Sequence, residues 1–169
     1  MIALDLLDTL NSCLMDTVQE YRLQTSEGDL KPPQVVTGYL PPKGEGDVPD
    51  YPFVMPRLIS GEDTAEIGTV TVKIIIGTYA EDSQGYRDPL NLIEHIRQAL
   101  FRKRIIGKKY RIEYPFKWEQ PEEQTYPYWM AEMTTTWTVP RPIEEVYYGE
   151  EDSDFSNNNW TGAGNLLRT

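Results

Sequence analysis

The sequence predicts an α+β fold: an antiparallel or mixed sheet of four to five strands with two main helices packed on it, and an extended C-terminal tail. Three observations predict it. Residues 69–79 alternate, with Val70, Val72, Ile74 and Ile76 on one face and Thr69, Thr71 and Lys73 on the other. That period of two marks a half-buried strand, and β-branched residues suit a pleated surface. Leu92, Ile93, Ile96, Ala99 and Leu100 then recur at helical spacing and form one apolar stripe. Two further runs, 110–119 and 128–139, alternate again. Strands and helices with one apolar side each must bury those sides against one another.

Taken in order, residues 3–23 read as the first helix, because Ala3, Leu7, Leu10, Leu14, Thr17 and Tyr21 recur every three or four positions with Val18 alongside. Cys13 lies off that stripe. Residues 25–50 form a long, turn-rich connection in which 34–39 has the composition of a short edge strand. A strand follows over 51–59, and Pro52 and Pro56 restrict it to a sheet edge or a bulge. Residues 60–66 make a hairpin tip carrying Glu62, Asp63 and Glu66. The central strand leads into an Asp/Ser/Gly-rich loop over 80–86, with acids at Glu81 and Asp82. Asp88 then reads as an N-cap, with Pro89 at the first helical position.

After the helix, 105–108 reads as a turn. Tyr110, Ile112, Tyr114, Phe116 and Trp118 alternate with polar residues and give the next strand a wholly apolar face, suited to the core or to a protein interface. An acidic turn over 120–126 leads to the last strand. There Trp129, Ala131, Met133, Trp137 and Val139 share one side, and Glu132, Thr134, Thr136 and Thr138 the other. Residues 1–140 therefore read as one domain. Residues 141–169 form an acidic, Asn-rich arm whose apolar residues, Phe155, Trp160, Leu166 and Leu167, stand apart in a polar segment. A segment of that composition cannot bury a core of its own and orders by docking on something else.

Composition narrows the function. The chain has 169 residues and a net charge of -11, which argues against a nucleic-acid binder, since phosphate contacts need clustered cations. The basic cluster Arg102–Arg104 with Lys108 and Lys109 complements a helix C-terminus or takes an anion or acidic partner. The N-terminus lacks the basic region of a secretory signal, and no apolar run approaches the roughly 20 residues of a membrane span. The single cysteine fits a reducing compartment. No phosphate loop, paired-cysteine spacing or nucleophile elbow occurs, and His95 is the one histidine. No catalytic, cofactor-binding or metal-binding residue is assigned, and no cofactor is expected. The acids at 62, 63 and 66 lack the spacing of a calcium loop.

Four stretches together resemble one family: Pro56-Arg57-Leu58-Ile59-Ser60-Gly61-Glu62-Asp63, Val72 to Tyr79, Tyr86-Arg87-Asp88-Pro89-Leu90-Asn91-Leu92-Ile93-Glu94, and Tyr128-Trp129-Met130-Ala131-Glu132-Met133-Thr134-Thr135-Thr136-Trp137. They are similar to the tail-terminator (tail-completion, minor tail protein U-like) proteins of long-tailed bacteriophages, over about residues 50–140. The resemblance implies a virion structural protein, not an enzyme, made in the host cytoplasm and placed at the tail–neck junction. It implies a homohexameric ring that caps the tail tube, meets the tail-tube protein on one side and the neck or head-completion protein on the other, and lets DNA pass during ejection. A neck adaptor or a tail-tube subunit is the alternative within that class. A small intracellular metal-dependent hydrolase using Glu62, Asp63 and Glu66 is the alternative outside it. Within a ring, Leu90, Arg97 and Phe101, which share the flank of the second helix, are the expected subunit contacts. The arm residues 155, 160, 166 and 167 are the expected docking anchors. Glu62, Asp63 and Glu66, or Glu81 and Asp82, are the expected channel lining.

Overall fold

The structure, a computed structural model, describes residues 1–46 and 49–145. In chain order it runs through α1 (Ile2–Val18), a small two-stranded sheet of β1 (Leu23–Gln24) and β2 (Leu30–Lys31), then β3 (Gln34–Val35), β4 (Phe53–Asp63), β5 (Gly68–Tyr79), α2 (Arg87–Lys103), β6 (Ile105–Ile106), β7 (Tyr110–Glu119) and β8 (Tyr128–Val139). The main sheet has the order β3-β4-β5-β8-β7-β6. β3 runs parallel to β4 and every other pair is antiparallel, so the sheet is mixed. The fold class is the expected α+β. β3 falls in the expected edge strand at 34–39; the strand number exceeds the expected four to five because Ile105–Ile106, expected as part of a turn, adds the edge strand β6, and β1 and β2 pair in a sheet of their own.

Each short strand has a local cause. Gly107 and Lys108 have φ of 57° and 63°. Positive φ at both central positions of a turn folds a chain into a tight hairpin; the Lys109 amide closes this turn on the Ile106 carbonyl (3.3 Å), so the expected turn at 105–108 pairs Ile105 and Ile106 with Arg111 and Tyr110 across a three-residue loop. β3 is held by Gln34 and Val35 against Phe53 and Val54. The amide of Gly38 then donates to the carbonyl of Pro56 (2.8 Å). Pro56 lies beside this edge, and β4 bulges between Leu58 and Ser60.

The centre of the sheet is the uninterrupted ladder between β5 and β8, from Gly68 opposite Val139 to Tyr79 opposite Tyr128. Twelve residues at about 3.4 Å each give strands about 40 Å long. Val70, Val72, Ile74 and Ile76 meet Ala131, Met133, Trp137 and Val139 in one buried cluster, closed by Leu6, Leu10, Leu14 and Val18 of α1 and Leu92, Ile93, Ile96 and Leu100 of α2. Both helices therefore cover the same face. The opposite face carries a half-buried ladder of Thr69, Thr71, Thr134, Thr136 and Thr138, with Lys73 bonded to Glu132 at 2.8 Å. A smaller cluster of Phe53, Met55 and Ile75 closes one end of that face.

Two helix boundaries differ from expectation. α1 ends at Val18 rather than 23: the Val18 carbonyl accepts the Tyr21 amide (3.1 Å) in a tighter turn and the Thr17 carbonyl lies 3.1 Å from His95 Nε2, so the last carbonyls find partners outside the helix ladder. Tyr21 still packs on the core. Asp88 is not an N-cap. α2 starts at Arg87, and the amides of Arg87 and Asp88 donate to the carbonyls of Gln84 and Gly85 (both 3.1 Å), so the preceding turn does the capping. Burial, and then the charge of Asp82, push the Asp88 carboxyl above its ordinary range.

Candidate assembly surface

The stripe of α2 turns one flank to the core and leaves Leu90, Arg97 and Phe101 beside it, seven and four positions apart. β7 lies against this flank. Its first apolar residues, Tyr110 and Ile112, are fully buried, but beyond them only the flank of α2 reaches the strand and the cover is partial. Tyr114 is 68% exposed and Trp118 54%. The expected apolar face is thus continuous in direction and leaves the core halfway along.

The flank and the strand meet ring to ring. Phe101 stacks on Tyr114 with centroids 4.8 Å apart and planes at 27°, and meets Phe116 edge-on at 5.7 Å. The Arg104 guanidinium lies 5.7 Å from the Phe101 ring and 5.4 Å from that of Tyr114. Next to the rings a small cleft of about 160 Å³ is lined by Leu90, Ile93, Glu94, Arg97 and Trp118. The structure therefore brings Leu90, Arg97 and Phe101 together with three aromatics of β7. Phe101 is not wholly outside the fold, however, since it is half-buried and packs on the core. The strand residues were visible in sequence only as a core-or-interface face. Pro115 and Lys117 within the run are the signals that its outer half is an edge.

Both edges of the sheet are open over part of their length. β6 pairs with β7 only at Tyr110 and Arg111, so Glu113–Glu119 has β8 on one side alone. Between Glu113 and Lys117 the strand bulges around Pro115. On the far edge, β3 and the turn at Gly38 cover β4 as far as Arg57, whose Nε donates to the Gly38 carbonyl (2.8 Å). From Leu58 to Asp63 that edge is open among the described residues.

The β4–β5 hairpin projects from the same edge. Its turn is set by Thr64, whose amide donates to the Ile67 carbonyl (2.8 Å) and whose hydroxyl accepts from the amides of Glu66 and Ile67. Glu62 and Asp63 belong to β4 rather than to the tip, opposite Thr69 and Gly68. They point to opposite faces, and Glu66 stands alone at the turn. All three are exposed. Among the described residues, no three His, Cys, Asp or Glu side chains come together as a metal set.

No protein-family model matches this chain, and no curated protein matches it.

The other candidates fall into local roles. Glu81 accepts the Tyr79 hydroxyl at 2.7 Å, a bond that pushes the phenol up to about 12. Asp82 accepts the Gln84 amide at 3.1 Å and shapes the loop. His95 Nε2 lies 3.1 Å from the carbonyl of Thr17, and its ring meets Tyr21 edge-on at 5.4 Å, which ties α2 to the end of α1. Phe155, Trp160, Leu166 and Leu167 lie outside the described residues. No described helix is long and apolar enough to cross a membrane.

Proposed function

We propose that this chain is a structural subunit of a long-tailed phage virion, a tail terminator that closes into a homohexameric ring at the tail–neck junction. The observation that carries the reading is the aromatic flank where α2 meets the open outer half of β7, on a subunit whose opposite sheet edge is also open. Two unlike surfaces on opposite edges are what a head-to-tail ring requires, because each copy offers one surface to the neighbour on either side. Exposed rings beside charged residues have the composition of a protein interface. The resemblance over residues 50–140 supplies the particular ring, which would meet the tail tube on one face and the neck on the other, with DNA passing through. A neck adaptor would present similar edges.

The test has two parts. Mass photometry of the purified chain should show a closed species of six 19.5 kDa subunits. Antibody labelling of particles should mark a single point where the tail meets the head. A chain that stays monomeric at tens of micromolar overturns the ring. Labelling along the whole tail assigns a tube subunit instead.

A further inference from the structure

Half of the basic residues of this acidic chain, eight of sixteen, fall within residues 97–117, against one acid, Glu113. That stretch is the second half of α2, the β6 hairpin and most of β7. The rings of Phe101, Tyr114 and Phe116 emerge there, with that of Trp118 next in the chain. Arg97 is paired with Glu94 at 3.0 Å and Arg104 with Glu113 at 3.3 Å. Lys117 stands between Phe116 and Trp118, is exposed, and has no acidic partner among the described residues; the same holds for Arg102, Lys103 and Lys108.

The complement to this surface is in the chain's own C-terminal segment. Glu144, Glu145, Glu150, Glu151, Asp152 and Asp154 precede Phe155 and Trp160, with Leu166 and Leu167 beyond, and Arg168 is the one cation past residue 141. Acids followed by large apolar anchors match cations interleaved with exposed rings. The path of the chain decides which copy receives them. β8 has β5 on one side and β7 on the other. Past Val139 the chain turns toward the β5 side: Pro140 and Pro142 line a groove with Gly61, Glu62 and Asp63, and the Arg141 guanidinium donates to the carbonyl of Thr64 (3.0 Å) and to that of Ala65. At residues 140–142 the chain therefore lies on the β4 side of β8, away from its own β7. From Glu145, the 15 residues to Trp160 reach up to about 50 Å when extended, enough to cross to a neighbouring subunit.

We infer that residues 146–169 of one copy seat on the basic, aromatic surface between α2 and β7 of the next copy, Trp160 and the Leu166–Leu167 pair meeting the rings and the acids meeting Lys117 and its neighbours. The inference rests on the head-to-tail ring proposed above and names what one of its contacts is made of. An acidic partner is favoured over single-stranded nucleic acid, which also binds cations interleaved with rings, because the net charge of -11 repels phosphates from the rest of the chain.

Two full-length variants and one peptide test it. The arm variant carries Trp160→Ala, Leu166→Ala and Leu167→Ala; the surface variant adds Lys117→Glu and Trp118→Ala to these. The probe is a dye-labelled peptide of residues 144–169, followed by fluorescence polarisation, with mass photometry of the wild-type chain alongside. The peptide should bind the arm variant saturably, more weakly at high salt, and the surface variant roughly tenfold or more weakly, as removal of a central anchor does. The arm variant should also fail to oligomerise where the wild type does. No peptide binding, with rings still formed by the wild type, overturns the docking and leaves the ring intact. Peptide binding with a wild type that is monomeric shows the arm folding back on its own subunit and overturns the exchange between copies. A single-stranded oligonucleotide that binds this surface while the peptide does not assigns it to nucleic acid and overturns the inference.

Discussion

At the scale of single residues, stability hangs on a few polar groups that the core encloses. Thr135 is fully buried opposite Val72; its hydroxyl donates to the Val72 carbonyl at 2.8 Å and accepts the Trp137 indole N–H at 2.9 Å. Thr135→Val keeps the shape and strands that N–H, which should cost about 1–3 kcal/mol in chemical denaturation. Gly77 is another fixed point, since a Cβ there would run into the Phe53 ring and against Tyr51. Gly77→Ala should therefore lower the melting temperature, and Gly61→Ala, where the nearest atom would be 3.5 Å away, should lower it less. Asp5 joins the start of α1 to the β6 hairpin: it accepts the Tyr110 hydroxyl and pairs with Lys109 at 2.9 Å. Those two bonds, Tyr110 first, hold its carboxyl below the ordinary range. A depressed carboxylate stabilises the fold above its unfolded pKa, and loses that contribution as pH falls through the lower folded value. The melting-temperature gap between wild type and Asp5→Asn should thus be full near neutrality and shrink once pH drops below about 4. A gap unchanged at acid pH would mean the carboxylate charge is not what the site uses.

The elements explain what the sequence shows and what it hides. Alternation in 69–79 and 128–139 identifies β5 and β8 almost to the residue, because a long central ladder with one buried face leaves no freedom of register. The stripe of α2 is as legible, and so is its flank at positions 90, 97 and 101. What alternation cannot tell is where a face stops being covered. Tyr110 and Trp118 carry the same pattern, yet one is enclosed and the other 54% exposed, because cover depends on where α2 crosses the strand. For the same reason the sequence could not pair the α2 flank with Tyr114, which contacts it only through tertiary structure. The short strand β6 was hidden because two residues carry no period, whereas β3 falls within the edge strand read at 34–39. This geometry separates two variants at the surface. Phe101 is half-buried between two rings and the core, so Phe101→Asp should lower stability as well as block association. Trp118→Ala removes a ring that mostly faces water; it should leave the melting temperature within about 2 °C of wild type, as surface changes do, and still abolish oligomers in mass photometry. Loss of folding in Trp118→Ala would return that ring to the core.

At the scale of the whole molecule, the acidic balance has a use if the subunit closes into a ring through which DNA passes. A basic lumen would hold phosphates through counterion release and add drag at every contact. An acidic lumen repels the duplex over a range set by the Debye length, about 8 Å at physiological salt. Of the candidate acids, Glu81 and Asp82 are already engaged by Tyr79 and Gln84 in their own loop. Glu62, Asp63 and Glu66 make no ion pair among the described residues and sit on the hairpin that projects past the β3 cover. Because Glu62 and Asp63 face opposite sides of β4, the hairpin is negative on both faces, whichever one a ring turns inward. The Arg141 guanidinium offsets this only at the turn, where it is bound to backbone carbonyls. Replacing Glu62, Asp63 and Glu66 together by Lys should leave assembly intact, since these exposed side chains stand on the two faces of the hairpin and at its turn and leave the backbone groups of the open β4 edge as they were, and should slow DNA ejection, most at low ionic strength where the new charges are least screened. Ejection traced by dye uptake across a salt series reads this directly. Equal rates for wild type and variant at every ionic strength would show that the hairpin turns away from the channel.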